Sequence, residues 1–178
     1  MNDAVRERAR AVRLLVLDVD GVMTDGTLLY GPDGEALKPF CVRDGLGIVL
    51  ARRAGIECAV ISGKRSRPLK RRLDDLRIGH QYLARDDKSA AFDQLLEVTG
   101  ATAEQTAYAG DDLVDLPLMA RVGLPIAVAN AEPRVREAAS WVTTRRGGDG
   151  AVREICEGLL EARGVLDATI AEHLEALS

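Results

Sequence analysis

Short runs of aliphatic residues alternate along this chain with longer segments in which apolar residues recur every three or four positions. The first run, Leu14–Leu17, is apolar throughout and stops at Asp18. This pattern is typical of a strand that is buried on both faces of a parallel sheet. The further strand candidates share this short apolar character: Glu57–Ile61, His80–Leu83, Thr106–Ala109, Pro125–Val128 and Trp141-Val142.

The segments between these strands carry helix signals. Asp44 is predicted to cap a helix that ends at Gly55, and Pro68 suits the first turn of the next helix. The remaining helices are predicted at 88–98, 113–122, 133–139 and 151–162. Strands that alternate with helices indicate an α/β fold, namely a Rossmann-like, doubly wound parallel sheet with helices on both faces.

Two segments stand outside this alternation. A β-hairpin is predicted after the first strand, with a turn at Gly31–Gly34, so that a flap over about residues 24–42 projects over the acidic strand end. The tail, residues 165–178, carries apolar residues at helical spacing and predicts an amphipathic helix: Leu166, Ile170, Leu174 and Leu177. At this length, and without repeats, we expect one domain over residues 1–178.

Polar residues follow the strand candidates at the points where those strands end. They are Asp18, Asp20, Ser62, Lys88 and Asp111. The carboxyl ends of parallel strands meet at one edge of the sheet, so we expect these groups to converge there. Carboxylate oxygens suit Mg²⁺, whereas zinc or copper sites favour His or Cys ligands. Two acids, a hard metal ion, a lysine and a hydroxyl are what phosphoryl transfer requires.

The two neighbouring carboxylates are expected to have different roles. Asp18 is the predicted nucleophile, which attacks phosphorus and forms an aspartyl-phosphate. Asp20 is predicted to protonate the leaving alkoxide and then to deprotonate the attacking water. For this task we expect the Asp20 carboxylate to lie in a drier place away from the metal ion, while its backbone carbonyl serves as a ligand.

Composition narrows the function classes further. Hydrophobic residues make up 47% and charged residues 29%, and the net charge of −4 argues against a nucleic-acid-binding protein. The three cysteines are not in a C-x-x-C pair, so neither a zinc site nor a disulfide framework is indicated. The apolar run near the start is interrupted by Asp18, which fits neither a secretory signal nor membrane insertion. We therefore expect a cytoplasmic protein.

Four motifs in this order resemble those of the haloacid dehalogenase superfamily of phosphatases. They are Asp18-Val19-Asp20-Gly21-Val22, Ser62-Gly63, Lys88, and Gly110-Asp111-Asp112-Leu113-Val114-Asp115. The resemblance implies Mg²⁺-dependent hydrolysis of a phosphate ester, with Asp18, Asp20 and Lys88 as catalytic residues. It also implies that Asp18, Asp20 and Asp111 hold the metal ion. Asp112 and Asp115 would support the site or face the substrate, and Asp115 is equally suited to capping a helix N-terminus.

Further segments are similar to a capless subgroup of this superfamily. They are Asp20–Gly26, Val42–Gly45 and Gly147–Glu154, and no insertion is large enough to form a cap. The resemblance implies a homotetramer that hydrolyses an eight-carbon keto-acid sugar phosphate in lipopolysaccharide precursor synthesis. Ser62 and Gly63 would bind the phosphate. Arg43, Lys64 and Arg65 are candidates to meet the sugar carboxylate, although a lysine, unlike an arginine, cannot do so in bidentate fashion.

Two other functions fit parts of the pattern. A phosphatase for nine-carbon sialic-acid-type sugars, or a broader sugar phosphatase, would use the same catalytic residues. A phospho-accepting signalling domain also places acids, a hydroxyl and a lysine on a parallel sheet. In such a domain the acceptor Asp would end a middle strand, however, and Asp20 beside the nucleophile favours turnover over storage of the phosphate.

Overall fold

A computed structural model describes residues 1–177 of the chain. Its strands are β1 (Leu14–Leu17), β2 (Leu29–Gly31), β3 (Gly34–Leu37), β4 (Glu57–Ser62), β5 (His80–Leu83), β6 (Thr106–Gly110), β7 (Leu124–Ala127) and β8 (Trp141–Val142). Within the described residues, six of them form one parallel sheet in the order β5-β4-β1-β6-β7-β8. All six strand predictions are confirmed to within one or two residues.

The central strand β1 is buried along its whole length. It pairs with β4 on one side and with β6 on the other, so that Leu17 lies beside Val60 and Ala109. Strands β6 and β7 are also buried at every position. Because both faces of these strands are covered, apolar residues occupy nearly every position rather than alternate positions.

The helices cover the sheet on both faces, as the sequence predicts. They are α1 (Asp3–Ala11), α2 (Val42–Arg53), α3 (Arg67–Asp75), α4 (Lys88–Thr99), α5 (Leu116–Met119), α6 (Pro133–Ala138), α7 (Ala151–Arg163) and α8 (Leu166–Glu175). Helix α7 packs against α1, α2 and α8, while α5 contacts α4 and α6. In a doubly wound sheet, where crossover connections are almost always right-handed, such groups lie on opposite faces. None of the helices within residues 1–177 has the length and apolarity needed to cross a bilayer.

The predicted helix 113–122 is shorter than expected. A 3₁₀ turn spans Leu113–Asp115, and α5 then occupies only Leu116–Met119. Pro117 lies in the first turn of α5, where its missing N–H costs no hydrogen bond. After α5 the chain turns back because the N–H of Gly123 donates to the carbonyl of Ala103 at 2.8 Å. That contact joins residues 20 positions apart, which local helix signals do not encode.

The prediction that Asp44 caps α2 is wrong. Helix α2 begins at Val42 with Cys41 as its N-cap, so Asp44 lies inside the first turn. The Asp44 carboxylate is 3% exposed and accepts a hydrogen bond from the backbone N–H of Arg153 at 2.8 Å. Arg153 is the third residue of α7. Asp44 therefore caps the N-terminus of a different helix.

The hairpin and the tail form as predicted. Strands β2 and β3 make a separate two-stranded antiparallel sheet. Its apolar side chains face solvent, since Tyr30 is 70% and Leu37 65% exposed. In the tail, α8 places Leu166 and Ile170 against the core, whereas Leu174 is 58% exposed. The first half of the tail stripe thus docks on its own chain.

Replacement of Asp44 by alanine should lower the free energy of unfolding by about 1–2 kcal/mol, because the N–H of Arg153 loses its acceptor in a buried place. Burial raises the pKa of Asp44, against the opposing effect of that N–H, so the charge itself is unfavourable there. Asp44→Asn, which keeps the acceptor oxygen, should stay close to the wild type. Chemical denaturation measures both variants.

Asp167→Ala is the matched control, because Asp167 lies exposed in the first turn of α8 and should change stability by much less. Equal stability of Asp44→Ala and the wild type would contradict the capping role.

Candidate active site

The strand order creates a crevice beside the central strand. From β1 the chain moves outward to β4 and β5, and then crosses back to β6 on the other side of β1. Ligands of open α/β sheets bind at such a switch point, outside the carboxyl ends of the strands. Asp18 directly follows β1, Ser62 ends β4, and Asp111 directly follows β6. The structure therefore brings the predicted groups to one edge.

Three carboxylates converge in this crevice. Oxygen atoms of Asp18, Asp111 and Asp115 all lie within 4.8 Å of one another. Their approach depends on Gly21, whose φ of +95° lies in the left-handed region. A Cβ atom on Gly21 would lie 1.9 Å from Oδ2 of Asp111, so any side chain there would displace this carboxylate.

A buried lysine binds two of these acids. Lys88 begins α4, and its Nζ donates to Oδ1 of Asp18 at 2.7 Å and to Oδ1 of Asp115 at 2.6 Å. Burial alone would lower the pKa of Lys88, but the charges of Asp18 and Asp115 raise it above its ordinary value. The ammonium group is therefore charged throughout the neutral range, and it holds one oxygen of Asp18 in place.

Asp115 organises the loop that carries Asp111. It is fully buried, and its Oδ2 accepts hydrogen bonds from the backbone N–H groups of Asp111 and Asp112 at 2.8 and 3.1 Å. Its Oδ1 accepts from Lys88 and from the hydroxyl of Tyr108 at 2.6 Å. Both oxygens are thus engaged in hydrogen bonds, so Asp115 supports the site and leaves Asp18 and Asp111 as the acids available to a ligand.

The electrostatics of this cluster favour a cation. Burial, and then the charges of Asp18 and Asp115, raise the pKa of Asp111 to about 7. Burial also raises the pKa of Asp18 to about 6, with a further contribution from Asp115, although Lys88 opposes the shift. Lys88 thus neutralises only part of the negative charge. A cluster of hard oxygen donors with surplus negative charge fits Mg²⁺.

Asp20 lies beside the cluster but has a different partner. Its carboxylate oxygen Oδ1 forms an ion pair with Nζ of Lys38, a residue of the segment that follows β3. The Asp20 side chain is 20% exposed, whereas that of Lys38 is inaccessible to solvent. The expectation of drier surroundings for Asp20 is therefore not met, since this carboxylate is partly open to water and paired with an ammonium group.

Most of the predicted site residues line one cavity of about 350 Å³ at the crevice. These are Asp18, Asp20, Ser62, Gly63, Lys64, Lys88, Asp111 and Asp112. Ser62 is 2% exposed, and its Oγ accepts a hydrogen bond from the N–H of Lys64 at 3.2 Å. The carboxylate of Asp112 accepts from the N–H of Leu113 at 2.7 Å, so it caps the 3₁₀ turn while it borders the cavity.

Two predicted substrate-binding residues lie elsewhere in this chain. Arg43 is exposed near the start of α2 and forms an ion pair with Asp149. Arg65 borders a separate cavity between the hairpin and α3. Neither side chain borders the catalytic cavity of the same chain.

The structure adds residues that the sequence did not single out. Arg85 and Asp86 border the catalytic cavity from the loop after β5, and Lys38 reaches Asp20 from the hairpin. The loop 146–150 lies against the first motif, because a Cβ atom on Gly147 would fall 1.6 Å from the carbonyl oxygen of Gly21. In the sequence, the Gly147-Gly148 pair was the feature that could have indicated this close approach of two backbone segments.

Comparison with known proteins agrees with this geometry. The family model of haloacid dehalogenase-like hydrolases matches residues 83–155. The chain is 47% identical over 165 residues to the 3-deoxy-D-manno-octulosonate 8-phosphate phosphatase of Yersinia pestis. The match covers 93% of this chain and 88% of that protein.

Solved structures show the same similarity. The crystal structure of the Yersinia pestis phosphatase superposes with a TM-score of 0.92 at 46% identity, covering 94% of this chain and 90% of that one. The Moraxella catarrhalis phosphatase, in complex with a magnesium ion, a phosphate ion and KDO, gives a TM-score of 0.93 at 37% identity, covering 97% and 99%. The chain thus belongs to the haloacid dehalogenase superfamily, in the family of the 3-deoxy-D-manno-octulosonate 8-phosphate phosphatases.

Proposed function

We propose that this protein is a Mg²⁺-dependent phosphatase that hydrolyses 3-deoxy-D-manno-octulosonate 8-phosphate to the free sugar and phosphate in lipopolysaccharide precursor synthesis. The observation that carries the proposal is the convergence of Asp18, Asp111 and Lys88 in one cavity at the switch point of the sheet. The activity named for the relatives, at 47% identity over most of the chain, supports the substrate.

The proposed Mg²⁺ ligands are the carboxylates of Asp18 and Asp111 and the backbone carbonyl of Asp20. When bound, the ion supplies positive charge that allows an anionic phosphate to approach the carboxylate of Asp18. The magnesium ion in the Moraxella catarrhalis structure supports this choice. So does the pKa of Asp111, which burial, and then the negative charges of Asp18 and Asp115, raise to about 7.

In the first step of the proposed reaction, a carboxylate oxygen of Asp18 attacks phosphorus. The bond between phosphorus and the sugar oxygen breaks, and Asp20 gives its proton to the departing alkoxide. Lys88 holds Asp18 by the hydrogen bond at 2.7 Å and adds positive charge beside the transferring group. The products of this step are the free sugar and an aspartyl-phosphate on Asp18.

In the second step, Asp20 takes a proton from water, and that water attacks phosphorus. The bond to the Asp18 carboxylate breaks, which regenerates the enzyme and releases phosphate. Ser62 and the backbone N–H of Gly63 are the proposed hydrogen-bond donors to the phosphate, because both residues border the cavity. Lys64 and Asp112 border the same cavity and are exposed, and we propose that they face the sugar.

The assembly is also part of the proposal. We infer a homotetramer, because the hairpin exposes Tyr30 and Leu37 and is too small a sheet to be stable alone. Arg43 and Arg65, which lie outside the cavity of their own chain, would then serve a neighbouring subunit. We further propose a single domain over residues 1–178 and a cytoplasmic location, which fits the free thiols of Cys41, Cys58 and Cys156.

Replacement of Asp18 by asparagine should abolish turnover, because the amide cannot attack phosphorus, and the nearly unchanged size should leave the fold intact. Phosphate release is measured with Mg²⁺ across eight- and nine-carbon keto-acid sugar phosphates and p-nitrophenyl phosphate. The wild type should prefer the eight-carbon substrate.

Asp93→Asn, on the exposed face of α4, is the control and should keep full activity. Near wild-type turnover by Asp18→Asn would refute the aspartyl-phosphate mechanism, and a preference for the nine-carbon substrate would favour the sialic-acid-type alternative.

The metal-free protein should become less stable as the pH rises. Burial raises the pKa of Asp18 to about 6 and that of Asp111 to about 7, so between about pH 4 and 7 the folded state holds protons that the unfolded state releases. Stability therefore falls across this window. Mg²⁺ at about a hundred times its Kd adds about 2.7 kcal/mol, which corresponds to a rise of about 5–10 °C in Tm.

This gain should be largest near pH 8, where both acids are ionised, and small near pH 5. Calorimetry of EDTA-treated protein, with and without Mg²⁺, measures it. Asp111→Asn should lose the Mg²⁺ effect and should melt higher than the wild type in the metal-free state at pH 8. A Mg²⁺ effect that is the same at both pH values would count against this site.

The hairpin should carry the tetramer interface. Sedimentation at micromolar concentration should show a species near four times 19.2 kDa. Leu37→Glu should dissociate it, because a charge would be buried between subunits. Val98→Glu is the matched control, since Val98 on α4 is 67% exposed, close to the 65% of Leu37. A wild-type monomer with full activity would contradict the proposed assembly.

A further inference from the structure

Lys38 is buried in a part of the molecule that is otherwise exposed. It follows β3 in the hairpin, where Tyr30 and Leu37 face solvent, yet its own side chain is inaccessible. An ammonium group is rarely buried unless it is paired. Here it has two partners, Oδ1 of Asp20 and Oε1 of Glu35, the latter at 2.6 Å.

These contacts form a chain of three charged groups from the hairpin to the active site. Glu35 lies in β3 and is three residues before Lys38, so the hairpin itself supplies the second acid. Burial alone would lower the pKa of Lys38, but the carboxylates of Asp20 and Glu35 raise it above its ordinary value. The ammonium group thus stays charged and joins the two carboxylates.

The hairpin also has a link on its far side. Burial alone would raise the pKa of Glu35, but the neighbouring side chains of Lys38 and Ser66 lower it below its ordinary value. Ser66 is the N-cap of α3, which follows the loop of Ser62. The ion-paired hairpin is therefore held between α3 and Asp20. Lys38 is the element that connects it to the acid of the proposed proton transfer.

We propose that Lys38 is a positioning residue for the acid–base step. It holds Oδ1 of Asp20, so that Oδ2 faces the leaving oxygen in the first step and the water in the second. Proton transfer by Asp20 then depends on the hairpin holding Lys38 against Asp20. This inference rests on the proposed function, since it assigns a partner to the acid–base residue of that reaction.

Two substrates with different leaving groups distinguish this positioning role from a purely structural one. A sugar alkoxide needs a proton as it departs, whereas p-nitrophenolate leaves without one. Lys38→Met, of similar length but uncharged, should lower kcat for the sugar phosphate by about tenfold or more. General acid–base catalysis contributes roughly a hundred- to ten-thousandfold. KM should change little, because Lys38 does not border the cavity.

With p-nitrophenyl phosphate the variant should behave differently in the two steps. Formation of the aspartyl-phosphate needs no acid, so it should proceed at the wild-type rate. Its hydrolysis needs Asp20 as base and should be slower. Stopped-flow measurement should therefore show a burst of about one p-nitrophenolate per active site, followed by a slow steady state, and no burst should occur with the sugar phosphate.

Three variants control the experiment. Lys70→Met removes an exposed lysine that pairs with Asp74, and it should leave both substrates unaffected. Lys38→Arg keeps a charged donor and should restore part of the loss. In an Asp20→Asn background, Lys38→Met should have no further effect on the sugar phosphate, because its role passes through Asp20.

The inference would be overturned if Lys38→Met lowered kcat equally for both substrates without a burst, or if it changed only KM. If Lys38→Met melts well below the wild type, Glu35→Gln provides a second test, because it removes the charge of one of the two carboxylates that fix the ammonium group. It should give a smaller loss of the same kind, namely a lower kcat for the sugar phosphate and a burst with p-nitrophenyl phosphate. Equal losses with that variant would also overturn it. The proposed function fails separately: it requires Mg²⁺-dependent turnover by the wild type and none by Asp18→Asn.

Discussion

The burial of several carboxylates around one ammonium group is the constraint on which the site depends. Lys88 pairs with Asp18 and Asp115 where almost no water reaches them. Loss of either partner of such a pair leaves an uncompensated charge and typically costs 3–5 kcal/mol. The Lys88 cluster is stable only because strand and helix ends supply N–H groups to the acids, most clearly to Asp115. The negative charge that Lys88 does not neutralise can bind a metal ion together with its phosphate ligand.

The fold turns this cluster into an open reaction site. Buried strands β1 and β6 deliver Asp18 and Asp111 from a rigid sheet, so their separation is set by strand pairing rather than by loops. The acid–base residue has a different support, because Asp20 lies three residues beyond the end of β1 and is held by Lys38 of the hairpin. The nucleophile and the acid are therefore supported by elements of very different burial, a core strand for Asp18 and an exposed hairpin for Asp20.

Local patterns in the sequence were sufficient for the strands and for the residues that follow them. Asp18, Ser62, Lys88 and Asp111 were found because a polar residue after a buried run is conspicuous. The structure was needed for partners that are far apart in the chain. Asp44 caps α7 rather than its own helix. Likewise, no periodicity in the sequence links Lys38 to Asp20. The contacts of Lys38 with Asp20 and Glu35 depend on the position of the hairpin relative to the sheet.

The loop 146–150 has a consequence for the order in which the first motif acquires its contacts. Its backbone lies against Gly21 and Val22, where the N–H of Gly148 donates to the carbonyl of Val22 at 3.1 Å. Residues near the beginning of the chain are thus shaped by residues made more than a hundred positions later. During synthesis the first motif leaves the ribosome early but lacks this support until the last strand and its loop have emerged. The backbone contacts of the first motif are therefore complete only after the loop that follows the last strand has been synthesised.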